Sequence, residues 1–129
     1  MSGSAHVNQV SGAVVDAAMK VHTALGPGLL ESAYAGCLAY ELRRRGHQLA
    51  VEASVPVVYD GLRIDVGYRI DLLVDDVVVV ELKAVDTLAP IHEAQLLTYL
   101  KLSGKKVGLL INFNVLHLKD GIKRMVNGL

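Results

Sequence analysis

Arg69-Ile70-Asp71-Leu72-Leu73-Val74-Asp75-Asp76-Val77-Val78-Val79-Val80-Glu81-Leu82-Lys83-Ala84 is the stretch that decides how this chain folds. Aliphatic and β-branched residues dominate it, and they read as two strands joined near Asp75-Asp76. Three charges, Asp71, Glu81 and Lys83, interrupt the apolar run. Burying such groups is costly unless they are paired, hydrated or bound to something, and a metal ion is the simplest candidate.

Glu81 and Lys83 stand two apart on one strand, so both side chains emerge on one face while Leu82 points away. Asp71 joins them only if the connection has the right parity. A two-residue turn at Asp75-Asp76 would pair Asp71 with Val80 and turn it to the wrong side. A three-residue loop of Asp75, Asp76 and Val77, or a β-bulge, brings Asp71 opposite Glu81, and this second arrangement is predicted. Carboxylates that close repel, and a divalent cation relieves the repulsion. Hard oxygen ligands with positions open to water suit magnesium or manganese.

Outward from this hairpin, Val10, Ala13, Val14, Ala17, Val21 and Leu25 recur at helical spacing, and Gly26-Pro27-Gly28 ends the pattern. A second helix is predicted over residues 29–45, with Leu30, Tyr34, Cys37, Leu38 and Leu42 on one face and Gly46 beyond its end. On that stripe Cys37 reads as a buried small hydrophobe. Residues 51–59, 62–74 and 77–85 form an antiparallel meander, with a turn at Asp60-Gly61. Pro90 and Gly104 bracket a third helix over residues 90–102, and residues 107–112 read as a buried strand. The tail over residues 117–126 is ambiguous.

Glu31 lies on or beside the apolar stripe of the second helix and is expected to point inward, and Glu41 is a weaker candidate for the same reason. On the third helix His92, Gln95 and Tyr99 share a face and are placed to line the same cleft. Blander readings stand beside these. A Glu-x-Lys pair on a strand is usually a solvated face, although the valine run argues against that here. His92 reads more simply as a hydrogen-bonded helix residue than as a metal ligand, because no second His or Cys stands at ligand spacing. Tyr34 and Tyr99 fit either a cleft lining or amphipathic core positions.

Composition bounds the rest. With 129 residues, 52% of them hydrophobic, the chain is expected to form a single domain with one core. Thirteen Lys and Arg balance thirteen Asp and Glu, which argues against a broad cationic surface for nucleic acid. Local basic runs occur at Arg43-Arg44-Arg45, Lys105-Lys106, Lys119 and Lys123-Arg124. One cysteine excludes an internal disulfide and a four-cysteine metal site. No signal segment opens the chain and no apolar run approaches membrane-spanning length, so a cytoplasmic protein without a membrane role is expected. The apolar content makes a homodimer plausible.

The residues singled out so far also carry a resemblance. Gly28-Leu29-Leu30-Glu31-Ser32-Ala33-Tyr34 resembles the signature of the GxxExxY protein family. The similarity continues through Asp71, Glu81-Leu82-Lys83, His92-Glu93-Ala94-Gln95-Leu96-Leu97-Thr98-Tyr99-Leu100 and Gly108-Leu109-Leu110-Ile111-Asn112-Phe113. That family is placed in the PD-(D/E)XK nuclease superfamily, whose restriction-endonuclease-like α/β core has helices flanking a mixed sheet in the order αβββαβ. The resemblance implies that Asp71, Glu81 and the Leu82 carbonyl bind magnesium, that Lys83 orients or activates the attacking water, and that Glu31 joins the acidic cluster. Gln95-Leu96-Leu97-Thr98-Tyr99 is similar to the Gln-x-x-x-Tyr element of RecB-like nucleases, which contacts DNA and the active site. Ile70 replaces the proline of the superfamily's name, and the four cysteines of cluster-bearing RecB-like relatives have no counterpart.

A metal-dependent nuclease acting on DNA is therefore expected, with Asp71, Glu81, Lys83, Glu31 and Gln95 in its active site and Tyr99, His92 and Tyr34 lining the cleft. The alternative is a non-catalytic nucleic-acid-binding or protein-assembly module that retains the fold. Neutral charge favours the module, or a nuclease that relies on a protein partner or on dimerisation for its grip.

Overall fold

The computed structural model describes residues 3–129. The elements are α1 (Gly3–Leu25), α2 (Glu31–Arg44), β1 (Leu49–Tyr59), β2 (Leu62–Val74), β3 (Val78–Lys83), α3 (Pro90–Ser103), β4 (Val107–Asn112), a 3-10 turn (Leu118–Gly121) and β5 (Ile122–Val126). The five strands lie in one sheet in chain order. Among the described residues only β3 and β4 run parallel, because α3 carries the chain back between them. The ambiguous tail supplies the 3-10 turn and β5, which pairs antiparallel with β4.

Every residue of β4 is buried, as are Val78, Val79 and Val80, so the centre of the sheet is covered on both faces. On one face Val14, Leu38 and Leu42 from α1 and α2 pack with Leu72, Val80 and Leu109. On the other, Leu96 and Leu100 from α3 pack with Val55, Ile70, Val79 and Leu110. Gly108 permits the close approach of α3, since a Cβ there would lie 2.8 Å from Leu96 Cδ1.

The β2–β3 connection has the predicted parity. Asp75, Asp76 and Val77 form the loop, Asp75 and Asp76 both adopt positive φ, and the Val77 amide donates to the Val74 carbonyl at 3.0 Å. The pairs Val74 with Val78, Leu73 with Val79 and Leu72 with Val80 follow, and the same register carried one step further sets Asp71 opposite Glu81. His47 Nδ1 contacts the Asp75 carboxylate at 2.6 Å and the Gln48 amide donates to it at 2.9 Å, which fixes the loop.

Sequence periodicity does not foresee a change of face within β2. Leu72 and Val74 pack towards α1 and α2, yet Ile70 packs towards α3. Alternate residues of a regular strand share a face, so β2 turns over between these positions. The neighbouring strand is kinked at the same level: Glu52 has φ of 53°, between the pairs Val51 with Leu72 and Ala53 with Ile70.

Three expectations about the first two helices are corrected. The buried side of α2 is Tyr34, Leu38, Ala39, Glu41 and Leu42, and this stripe leaves Cys37 exposed. Leu25 and Leu30 are exposed at the helix ends that flank the Gly26-Pro27-Gly28 turn. Tyr34 is fully buried and belongs to the core, not the cleft. Its ring stacks on Phe113 at 4.5 Å, its hydroxyl donates to the Gly26 carbonyl at 2.5 Å, and that oxygen accepts from the Leu29 amide at 3.2 Å. Tyr34 thereby ties down a turn in which Gly26 and Gly28 hold left-handed φ values of 68° and 101°. Among the described residues no helix is long and apolar enough to cross a membrane.

Candidate active site

The site lies where β2 and β3 part. Beyond Leu72 and Val80 the regular ladder gives way to side-chain bonds: the Asp71 amide donates to Glu81 Oε2 at 2.8 Å, and the Leu82 amide donates to Asp71 Oδ2 at 2.8 Å. Two carboxylates thus replace main-chain acceptors at the fork. Glu81 is buried and Asp71 half-buried. Burial first, and then the neighbouring Asp71 charge, push the Glu81 carboxyl up to about 8, against the weaker pull of Lys83.

Lys83 is half-buried, and its ammonium favours the charged forms of both Glu81 and Glu31. It therefore sits among the acids that the sequence assigned to it. Its main chain is fixed from β4, because its carbonyl accepts from the Phe113 amide at 3.0 Å. Asn112, one residue earlier, is buried and holds the chain just past Lys83. Its amide donates to the Val85 carbonyl at 2.9 Å and its carbonyl accepts from the Val85 amide at 3.1 Å. The sequence marks Asn112 only through its place in a family motif. A lone polar residue closing an otherwise apolar strand was the available signal.

Glu31 opens α2 and lines a cavity of about 450 Å³ together with Arg43, Glu52 and Asp71. The residue is exposed, contrary to the inward-pointing expectation, but partial desolvation in the cavity raises its carboxyl pKa. Lys83 and His92 oppose that rise, and Asp71 adds to it. Glu52 was not anticipated, because its alternation within β1 reads as a solvated position. Among the described residues no three His, Cys, Asp or Glu side chains converge as a metal-holding group. The structure accordingly leaves Glu31 outside a tight side-chain triad with Asp71 and Glu81. Glu41 lies apart from the site: Arg45 Nε donates to its carboxylate at 2.9 Å and Lys20 Nζ at 3.2 Å.

Of the third-helix residues expected to line the cleft, Gln95 and Tyr99 line a second cavity, which shares no residue with the one lined by Glu31 and Asp71, and His92 lines neither. Gln95 stands one helical turn before Tyr99, and its side chain favours the ionised form of the Tyr99 hydroxyl. Burial raises the Tyr99 hydroxyl pKa, and the Glu81 charge adds to this. His92 has a local task, accepting the Ala89 amide on Nδ1 at 3.0 Å at the start of α3, and it also faces the Glu31 charge. Asp71 and Glu81 are brought together, Lys83 and Tyr99 are near enough to interact with the Glu81 charge, Gln95 shares the α3 groove with Tyr99, and Glu31 and His92 lie at the margin with Tyr34 elsewhere.

A mixed sheet with helices on both faces, and an Asp and a Glu-x-Lys set at the fork of its central hairpin, define a restriction-endonuclease-like α/β protein. Residues 8–125 match the family model of the PD-(D/E)XK nuclease superfamily, and the chain belongs to that superfamily. Comparison with curated proteins and with solved structures gives no significant match.

Proposed function

We propose that this protein is a metal-dependent nuclease that hydrolyses phosphodiester bonds of DNA. The observation that carries the reading is the crossed pair of Asp71 and Glu81, two hard-oxygen donors held against their own repulsion within reach of Lys83. The donor chemistry fits a small divalent cation, magnesium or manganese, held by Asp71, Glu81 and the Leu82 carbonyl. The Leu82 amide is turned towards Asp71, and the carbonyl of the same residue leaves an extended strand on the same side. When bound, such a cation polarises the scissile phosphate and acidifies water at neutral pH.

The chain's own residues perform the remaining tasks. Lys83 places a fixed positive charge where negative charge accumulates on the phosphate, and orients the attacking water. Glu31 adds negative potential from the α2 side of the cleft. Gln95 and Tyr99, one helical turn apart, together form the α3 wall. The Gly28 to Tyr34 signature and the Gln95 to Tyr99 element support a place in the GxxExxY family with a RecB-like Gln-x-x-x-Tyr element.

The test is cleavage of linear, circular and single-stranded DNA with magnesium or manganese, comparing the natural protein with Glu81→Ala and Lys83→Ala. Cleavage abolished by both substitutions is the expected result. Metal binding without cleavage of any substrate would assign the chain to the non-catalytic module.

A further inference from the structure

We propose that the groove between α3 and the β1–β2 hairpin is a base-stacking subsite that receives unpaired nucleobases of the substrate beside the scissile phosphate. This rests on the nuclease reading for its substrate, and it narrows that substrate to single-stranded or frayed DNA. The groove is a cavity of about 350 Å³ whose walls include Val57 and Tyr68 from the hairpin and Ile91, Gln95, Thr98 and Tyr99 from α3. Its size lies at the lower end of the roughly 300–1,000 Å³ typical of small-ligand pockets, suitable for a flat heterocycle and too small for a duplex.

Three observations point to a base as the occupant. First, the groove lies near the acid pair: Tyr99, on its wall, packs in the same cluster as Ile70, the chain neighbour of Asp71, and its hydroxyl feels the Glu81 charge. Second, the lining is mixed in the way base recognition requires. Tyr68 is 48% exposed and Ile91 69% exposed, so they offer an aromatic face and an aliphatic face, while Gln95 and Thr98 bring hydrogen-bonding groups. Tyr68 and Tyr99 stand with ring centroids 6.3 Å apart and planes inclined at 45°, so the inner ring braces the outer one. Third, the chain has a net charge of zero, so phosphate contacts alone supply little affinity. Stacking does not depend on net charge and tolerates any base.

The experiment measures binding of a labelled oligothymidylate to the full chain in EDTA, against an oligomer of equal length with a central abasic run. The expected result is base-dependent binding with a shallow salt dependence. Tyr68→Ala should weaken it roughly ten- to a hundredfold. Tyr68→Phe, which keeps the ring, should retain it. Equal affinity for the two oligomers, an unaltered Tyr68→Ala, or no binding of either overturns the subsite. The oligomer comparison needs no variant, so it decides the question even if Tyr68→Ala fails to fold. Cleavage of the same oligomers with magnesium separates the two readings: cleavage indifferent to missing bases removes the subsite and leaves the nuclease, whereas base-dependent binding without cleavage removes the nuclease alone.

Discussion

Asp71 and Glu81 each accept a hydrogen bond from the main chain of the other's strand, at 2.8 Å in both directions. The two acids therefore close the fork as well as furnish its chemistry, and stability and function are joined at one point.

The Glu81 carboxyl, near 4.5 when unfolded, titrates at about 8 in the folded, metal-free protein. Over the interval between these values the native state holds a proton that the unfolded state has released. Its stabilising effect is complete below about 4.5 and is lost as pH rises through about 8. In EDTA the urea midpoint should fall across this window. Glu81→Gln should flatten the dependence, and magnesium at pH 8 should raise the midpoint of the natural protein by binding its native state. A midpoint in EDTA that rises with pH would contradict the placement of this acid.

Lys83→Ala should leave the far-ultraviolet dichroism and the magnesium affinity in place while kcat falls by roughly a hundred- to a thousandfold, the usual loss when one charge-stabilising donor is removed. Single-turnover cleavage measures this directly. Undiminished cleavage would take lysine out of the mechanism.

Asn112→Ala should destabilise the fold by about 1–3 kcal/mol, because the Val85 amide and carbonyl lose a buried partner. Urea denaturation reads this cost. Cleavage under fully folding conditions should fall as well, since the clamp fixes the chain just past Lys83. Activity equal to that of the natural protein would make Asn112 purely structural.

Tyr34→Phe should cost about 0.5–1.5 kcal/mol, because the half-buried Gly26 carbonyl and the exposed Leu29 amide lose a protein partner that water can replace. It should leave oligonucleotide affinity untouched. An altered affinity with unaltered stability would return Tyr34 to the cleft.

The register of the central hairpin was legible because parity is discrete: a three-residue loop puts Asp71 opposite Glu81 and a two-residue turn cannot. The face of Gln95 and Tyr99 was legible from helical spacing alone. What escaped the sequence depends on tertiary context. Tyr34 fits a cleft or a core equally well until Phe113, far along the chain, is seen stacked on it. The inversion of β2 between Ile70 and Leu72 is accompanied by a left-handed Glu52 at the same level of β1, a conformation that no glycine announces. Cys37 lies one step off the stripe that buries Tyr34 and Leu38, and a helical wheel resolves such a step poorly. The 3-10 turn and β5 form at the end of a chain whose pattern has no period, and β4 supplies the template.

The β2–β3 hairpin also bears on the order in which the chain acquires its shape. Asp71, Glu81 and Lys83 lie within one short hairpin, so their meeting requires closure of a three-residue loop and no distant contact. Hairpins form in roughly 1–10 μs, earlier than a parallel crossover can close. On these timescales the acid pair is expected to meet while the chain is still largely open and water can screen the repulsion between the two carboxylates, with α3 and β4 sealing β3 afterwards.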